Sequence, residues 1–209
     1  MGIETTILFI AILIISVVIH EVSHGYMADY LGDPTARLAG RLTINPIPHI
    51  DPVGSIVVPG LLALLPGSII FGWAKPVPYN PHNIASEYGD ALVAVAGPAS
   101  NLFLAAIAGG VLQLAPIAAG SPLISFLVGV VLINVVLAIF NLVPIPPLDG
   151  SKILFNFLPA RFNYIRRNVE QYGFFILLGF IFLGGIAVIE PLIFGLTTFF
   201  TGGSLGGIF

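Results

Sequence analysis

The chain has no cysteine, a single tryptophan, two methionines, and charge at only 8% of its 209 positions. Without cysteine there are no disulfides and no thiolate ligands, so any metal site must use histidine and carboxylates. Soluble domains carry charge at about a quarter of their positions. Here 57% of residues are apolar and the mean hydropathy is +1.04. That combination excludes a soluble globular domain and indicates a polytopic membrane protein. Seven Lys and Arg against ten Asp and Glu, a net charge of −3, leave no basic patch for nucleic acid, and no nucleotide-binding domain is expected. Met1 to Thr6 lacks the basic region of a signal peptide.

What is there is a series of apolar runs. Roughly 20 residues cross a bilayer, and four spans are expected, over about residues 4–28, 88–113, 123–142 and 172–194. Between the first two, about residues 36–80 read as a small β or re-entrant region. Ala36 to Ile44 alternates loosely, as a strand would. Val53 to Phe71 is apolar but broken by Gly54, Pro59, Gly60, Pro66 and Gly67, which suits a sheltered re-entrant hairpin better than a lipid-facing helix. Val143 to Ser151, with Pro144, Pro146 and Pro147, reads as a stiff extended segment, and Lys152 to Leu158 as a short helix. No internal repeat or appended soluble domain is apparent, so residues 1–209 read as one all-α membrane domain.

Charge placement orients the spans. Arg37, Arg41 and Lys75 lie between spans one and two; Lys152, Arg161, Arg166 and Arg167 lie between spans three and four; together they are all seven cations. The positive-inside rule then puts both termini outside and both basic connections in the cytoplasm of a multi-pass cell-membrane protein. The inner end of span one and the segment after span three come to the same side.

At that inner end stands His20-Glu21-Val22-Ser23-His24. HExxH on a helix sets two imidazoles one turn apart, about 5–6 Å between Cβ atoms, with a glutamate between them to take a proton from water. The pattern recurs by chance in unrelated proteins, and two histidines could simply cap a span. Ionisable residues at membrane depth are costly and usually functional, however. A catalytic zinc needs a third protein ligand. The metzincin pattern is excluded, because Met27 and Tyr30 stand where its glycine and histidine would be. The remaining candidates are Asp149, His49, Asp51, His82, Glu87 and Asp90. Asp149 is preferred, since prolines pre-set its backbone and it follows a span ending on the right side. Its bland alternative is an ordinary Asp-Gly turn. His49 is second, though a turn cap suits it better. Asn101, a turn past Pro98, and Asn141 either bond a neighbouring helix or reach a substrate carbonyl.

Three of these segments, HEVSH, Gly97-Pro98-Ala99-Ser100-Asn101 and Asn141 to Gly150 (NLVPIPPLDG), resemble the signature motifs of site-2 protease intramembrane metallopeptidases. Gly40 to Pro46, His49 to Pro52 and Phe71 to Pro78 resemble the compact prokaryotic branch. The resemblance covers about Ile15 to Leu154, without the PDZ and CBS domains some members carry. It implies one zinc per chain held by His20, His24 and Asp149, with Glu21 as general base. It also implies that Asn101 and Asn141 hold the substrate strand or the oxyanion, and that the substrate is a transmembrane protein within the lipid bilayer. A metal transporter or a metal-binding scaffold is the competing class. A transporter would want polar residues continuing across the membrane, and beyond the sites named the spans offer mainly Asn134 and Gln113.

Overall fold

The computed structural model describes residues 2–64, 72–118 and 120–203. Its first helix, α1, runs unbroken over Ile3–Tyr30. In lipid an apolar segment must satisfy its backbone internally, which a helix does. At 1.5 Å per residue its 28 residues reach about 42 Å, more than the hydrocarbon thickness. It ends where Gly32 takes φ +106°, a conformation glycine adopts without strain, and Pro34 follows.

The strand expected over Ala36–Ile44 is not formed. Thr35–Leu38 is a single helical turn, α2, followed by irregular chain, and no β-strand occurs among the described residues. The reason is local: Asp33 Oδ1 accepts from the Thr35 amide at 3.2 Å, and such an Asx turn outweighs a loose alternation. In the apolar run that follows, Asp51 Oδ1 accepts from the amides of Val53 at 3.0 Å and Gly54 at 2.6 Å. This starts a wide π-type turn over Pro52–Val57 and then α3, Val58–Ala63. The first part of the expected hairpin is therefore helical; its remainder, 65–71, lies outside the described residues. Gly72 to Asn80 forms neither helix nor strand.

Helix α4, Gly89–Leu114, is the central element and packs against α1, α5 (Pro122–Asn141), α6 (Asp149–Phe157) and α8 (Gly185–Thr201). Its buried face is built of small residues, among them Ala94, Gly97, Ala105, Ala108 and Gly109, which let helices approach closely in a membrane. Ala105 and Ala108 form one core with Val131, Val135 and Ile139 of α5, against which Ile189 and Phe200 of α8 pack. Ile3, Ile7, Phe103, Ile107 and Phe175 point outward, a surface suited to lipid rather than water.

Two further expectations change. The fourth span is broken: α7, Asn163–Phe182, and α8 meet at 73°, because Gly184 turns the chain at φ +89°. Among the described residues three helices are long and apolar enough to cross a membrane, or up to four if the bent pair is one span. The Val143–Ser151 segment is not extended either. Hydrogen bonds from Val143 N to Phe140 O (3.1 Å), Ile145 N to Val143 O (2.8 Å) and Leu148 N to Ile145 O (2.9 Å) fold it into successive turns, with a cis Pro146–Pro147 peptide. Those turns deliver Asp149 as the first residue of α6, and the next position has no room for a side chain: a Cβ at Gly150 would lie 2.6 Å from Val143 O.

Candidate metal centre

One turn of α1 places His20 and His24 on the face toward α4, and the start of α6 brings Asp149 against them. His20 Nε2 and His24 Nε2 are 3.1 Å apart, and each lies 3.2 Å from Asp149 Oδ2. Tetrahedral zinc with bonds of about 2.0–2.1 Å sets its donors about 3.3 Å apart, so the triangle has the right edge length. Among the described residues these three side chains form the group able to hold a metal ion.

The hydrogen bonds behind the histidines fix which nitrogen faces the triangle. His24 Nδ1 lies 2.7 Å from Val93 O; a carbonyl only accepts, so Nδ1 carries the proton and Nε2 is left as a donor to a cation. His20 Nδ1 lies 2.6 Å from Asn101 Oδ1. The Asn101 amide is oriented in turn, because its Nδ2 donates to Ser16 O at 3.3 Å and to Asn134 Oδ1 at 2.8 Å. Asn134 Nδ2 donates to Val130 O and Ser16 Oγ, both at 2.9 Å. Every link ends on an acceptor, so His20 is likewise protonated on Nδ1. Two imidazole nitrogens and a carboxylate oxygen thus converge within 3.2 Å of one another, an arrangement that a bound cation would satisfy. The donor set fits zinc.

Space for the triangle comes from Gly97. A Cβ there would sit 2.6 Å from His20 Nε2 and closer still to His24 Nε2. Asn101, expected at the substrate, has no exposed surface and backs His20. Asn141 lines the site's cavity, and its Nδ2 donates to Leu137 O at 2.9 Å. His49 is remote from the triangle: it is buried with Nε2 3.0 Å from Thr43 O. Asp51 caps the π-type turn, and His82 and Glu87 are exposed. Asp90 bonds the Tyr79 hydroxyl, whose pKa is pushed up to about 12 by burial and by the charges of Asp90 and Asp149.

The triangle opens on a cavity of about 730 Å³ whose lining includes Glu21, Trp73, Ala74, Tyr79, Asn141 and Lys152. Lys152 Nζ stands 3.9 Å from Asp149 Oδ1 and 5.5 Å above the Tyr79 ring. Glu21 Oε2 accepts from the Val77 amide at 2.9 Å. Ser16, Val93, Asn134 and Val77 were absent from the sequence-derived site. Asn134 alone carried a signal, as a lone amide inside an otherwise apolar span.

The comparisons with known proteins meet this geometry. The chain is 39% identical over 174 residues to YwhC of Bacillus subtilis (strain 168), which carries a provisional zinc-metalloprotease name, covering 79% of this chain and 76% of YwhC. It belongs to peptidase family M50, the site-2 proteases. The family model itself, described as Peptidase family M50, matches residues 109–184, which hold Asn141 and Asp149 but not the two histidines. Rip2 of Mycolicibacterium smegmatis, provisionally named in the same way, is 30% identical over 170 residues, 81% of this chain and 64% of Rip2. The chain thus spans a little under two thirds of that relative. No solved structure matches it at the same standard.

Proposed function

We propose that this chain is an intramembrane zinc endopeptidase that hydrolyses peptide bonds within or near the transmembrane segments of membrane proteins. The observation that carries the reading is the 3.1–3.2 Å triangle of His20 Nε2, His24 Nε2 and Asp149 Oδ2, opening with Glu21 on one cavity among apolar helices. One zinc per chain would be held by those three atoms, and when bound it supplies a Lewis acid that makes water nucleophilic near neutral pH.

The chain's own residues do the rest. Glu21 takes the proton of the attacking water and later delivers it to the leaving amine. Asn101 holds His20 in the ligating tautomer, and Asn141 on the cavity wall reaches a substrate carbonyl. A substrate helix must unwind before its backbone can be attacked, and an opened segment is best held by strand addition. Ala36–Ile44, being partly helical, does not suit that task. The non-helical Gly72–Asn80 does: Trp73 and Lys75 send their amides to Gly54 O and His49 O, while Ala74 between them lines the cavity. On this reading the basic connections are cytoplasmic and the site lies near that side, with both termini outside when the bent α7–α8 pair counts as one span.

The test is elemental analysis of purified protein, wild type beside Asp149→Ala. One zinc per wild-type chain and little in the variant is expected. A folded wild type that binds no zinc would overturn the peptidase reading, and full retention in D149A would move the third ligand elsewhere.

A further inference from the structure

The segment Gly72–Asn80 is anchored by its backbone at Trp73, Lys75, Pro76 and Asn80. Trp73 N donates to Gly54 O (3.1 Å) and Lys75 N to His49 O (2.9 Å); Ser55 Oγ donates to Trp73 O (2.9 Å). Arg41 Nη2 grips Lys75 O at 2.9 Å and Pro76 O at 3.3 Å, and Asn80 N donates to Asp33 Oδ2 at 2.6 Å. Arg41 is buried and joins no ion pair among the described residues. Burying a guanidinium is costly unless it is hydrogen-bonded, so this grip is what the cation is there to make. The chain is therefore fixed on both sides of Val77.

Val77 stands between Pro76 and Pro78. Neither proline has an amide hydrogen and both have a locked φ, so this stretch offers one N–H in a pre-set direction. That N–H goes to Glu21 Oε2 at 2.9 Å, 56 residues away. Oε1 of the same carboxylate receives no hydrogen bond from the described protein groups, and Glu21 lines the cavity. One oxygen is tethered and the other is left for a proton.

We propose that the Val77 backbone amide is the positioning group for Glu21: it fixes the carboxylate through Oε2 so that Oε1 faces the attacking water. The inference rests on Glu21 being the general base of the proposed peptidase. A glutamate left untethered spreads over several rotamers, and loss of a hydrogen bond to a charged group lowers the rate about tenfold or more. The tether acts on the chemical step, whereas the cavity wall made by the same segment acts on substrate binding.

Two measurements test it. With carbonyl-13C proline and 15N valine, only the Pro52–Val53 and Pro76–Val77 pairs give a coupled amide signal. In detergent micelles, one of these two signals is expected to move upfield and exchange faster in Glu21→Ala. Neither signal moving would overturn the tether. The second replaces Val77 by its α-hydroxy acid, an ester that deletes the N–H and keeps the side chain. The probe is a quenched-fluorescent single-span peptide with a central Asn-Gly pair. The expected result is kcat down about tenfold or more, with KM within about a factor of two and zinc content unchanged. Val77→Ala, which keeps the donor and trims the wall, should instead raise KM. An ester that raises KM at constant kcat would reduce the segment to a cavity wall and sink the proposal. A wild type with neither zinc nor cleavage would fail the peptidase reading instead, and the amide signals would still report on the tether.

Discussion

Asn101 Oδ1 receives the Nδ1 proton of His20 at 2.6 Å across 81 residues of sequence, and its own amide is pinned by Ser16 O and Asn134. The histidine is thereby held with Nε2 toward the triangle before any ligand arrives. Replacing such a partner behind a metal-ligating histidine typically costs 10–100-fold in metal affinity. Asn101→Leu is expected to weaken zinc binding by that order, measured by competition with a chromogenic chelator. It should also cost about 1–3 kcal/mol of stability, since Asn134 loses its partner in the core. Affinity equal to wild type would show that His20 is oriented by the helix alone.

Gly97 makes a sharper test of the same geometry. A methyl group there would press on the donor atoms themselves, 2.6 Å from His20 Nε2. Overpacking costs about 1–3 kcal/mol, and here the strain falls on the ligands. Gly97→Ala should therefore lower zinc affinity at least about tenfold while α4 stays helical by circular dichroism. Gly110 on the same helix has open space at its Cβ position, so Gly110→Ala should leave zinc binding alone. Equal zinc affinity in the two variants would contradict the close approach.

Much of this site was legible in the sequence because its chemistry is local. HEVSH needs only a helix to set two imidazoles one turn apart, and the placement of the cations pointed to Asp149 on the same side. What was not legible depends on contacts between distant segments. Asn101 read equally as a bond to a neighbouring helix or as a substrate contact; α1 lies against α4, and Asn101 bonds His20. The strand at Ala36–Ile44 gave way to an Asx turn at Asp33, and the fourth span to a bend at Gly184. The segment 72–80 is held by Arg41, Asp33 and the carbonyls of His49 and Gly54, a set no periodicity reveals.

Glu21 can be separated from the ligands. Glutamine keeps the shape and an oxygen to accept from Val77, and leaves His20, His24 and Asp149 untouched, but takes no proton. Glu21→Gln is expected to hold zinc at wild-type stoichiometry and to lose about 100- to 10,000-fold in cleavage rate. Metal analysis and peptide turnover on one preparation check both halves. Cleavage at the wild-type rate in E21Q would remove Glu21 from the mechanism.

Asp33 ties the end of α1 to the far end of the segment 72–80. Its carboxylate is buried, accepting from Asn80 N at 2.6 Å, Asn83 Nδ2 at 2.7 Å and Thr35 N at 3.2 Å. Burial would raise its pKa, but these hydrogen bonds outweigh it and hold it below the ordinary 3.8. A carboxyl lowered on folding adds stability above its unfolded pKa and loses it as pH falls through the folded value. The advantage of wild type over Asp33→Asn, about 2 kcal/mol for hydrogen bonds to a charged group, should hold from neutral pH down to about 4. Below that it should shrink. Thermal unfolding in detergent of both proteins from pH 7 to 3 checks this. A gap that stays constant into acid would mean that Asp33 acts through shape and neutral hydrogen bonds, and the electrostatic account of the clasp would fall.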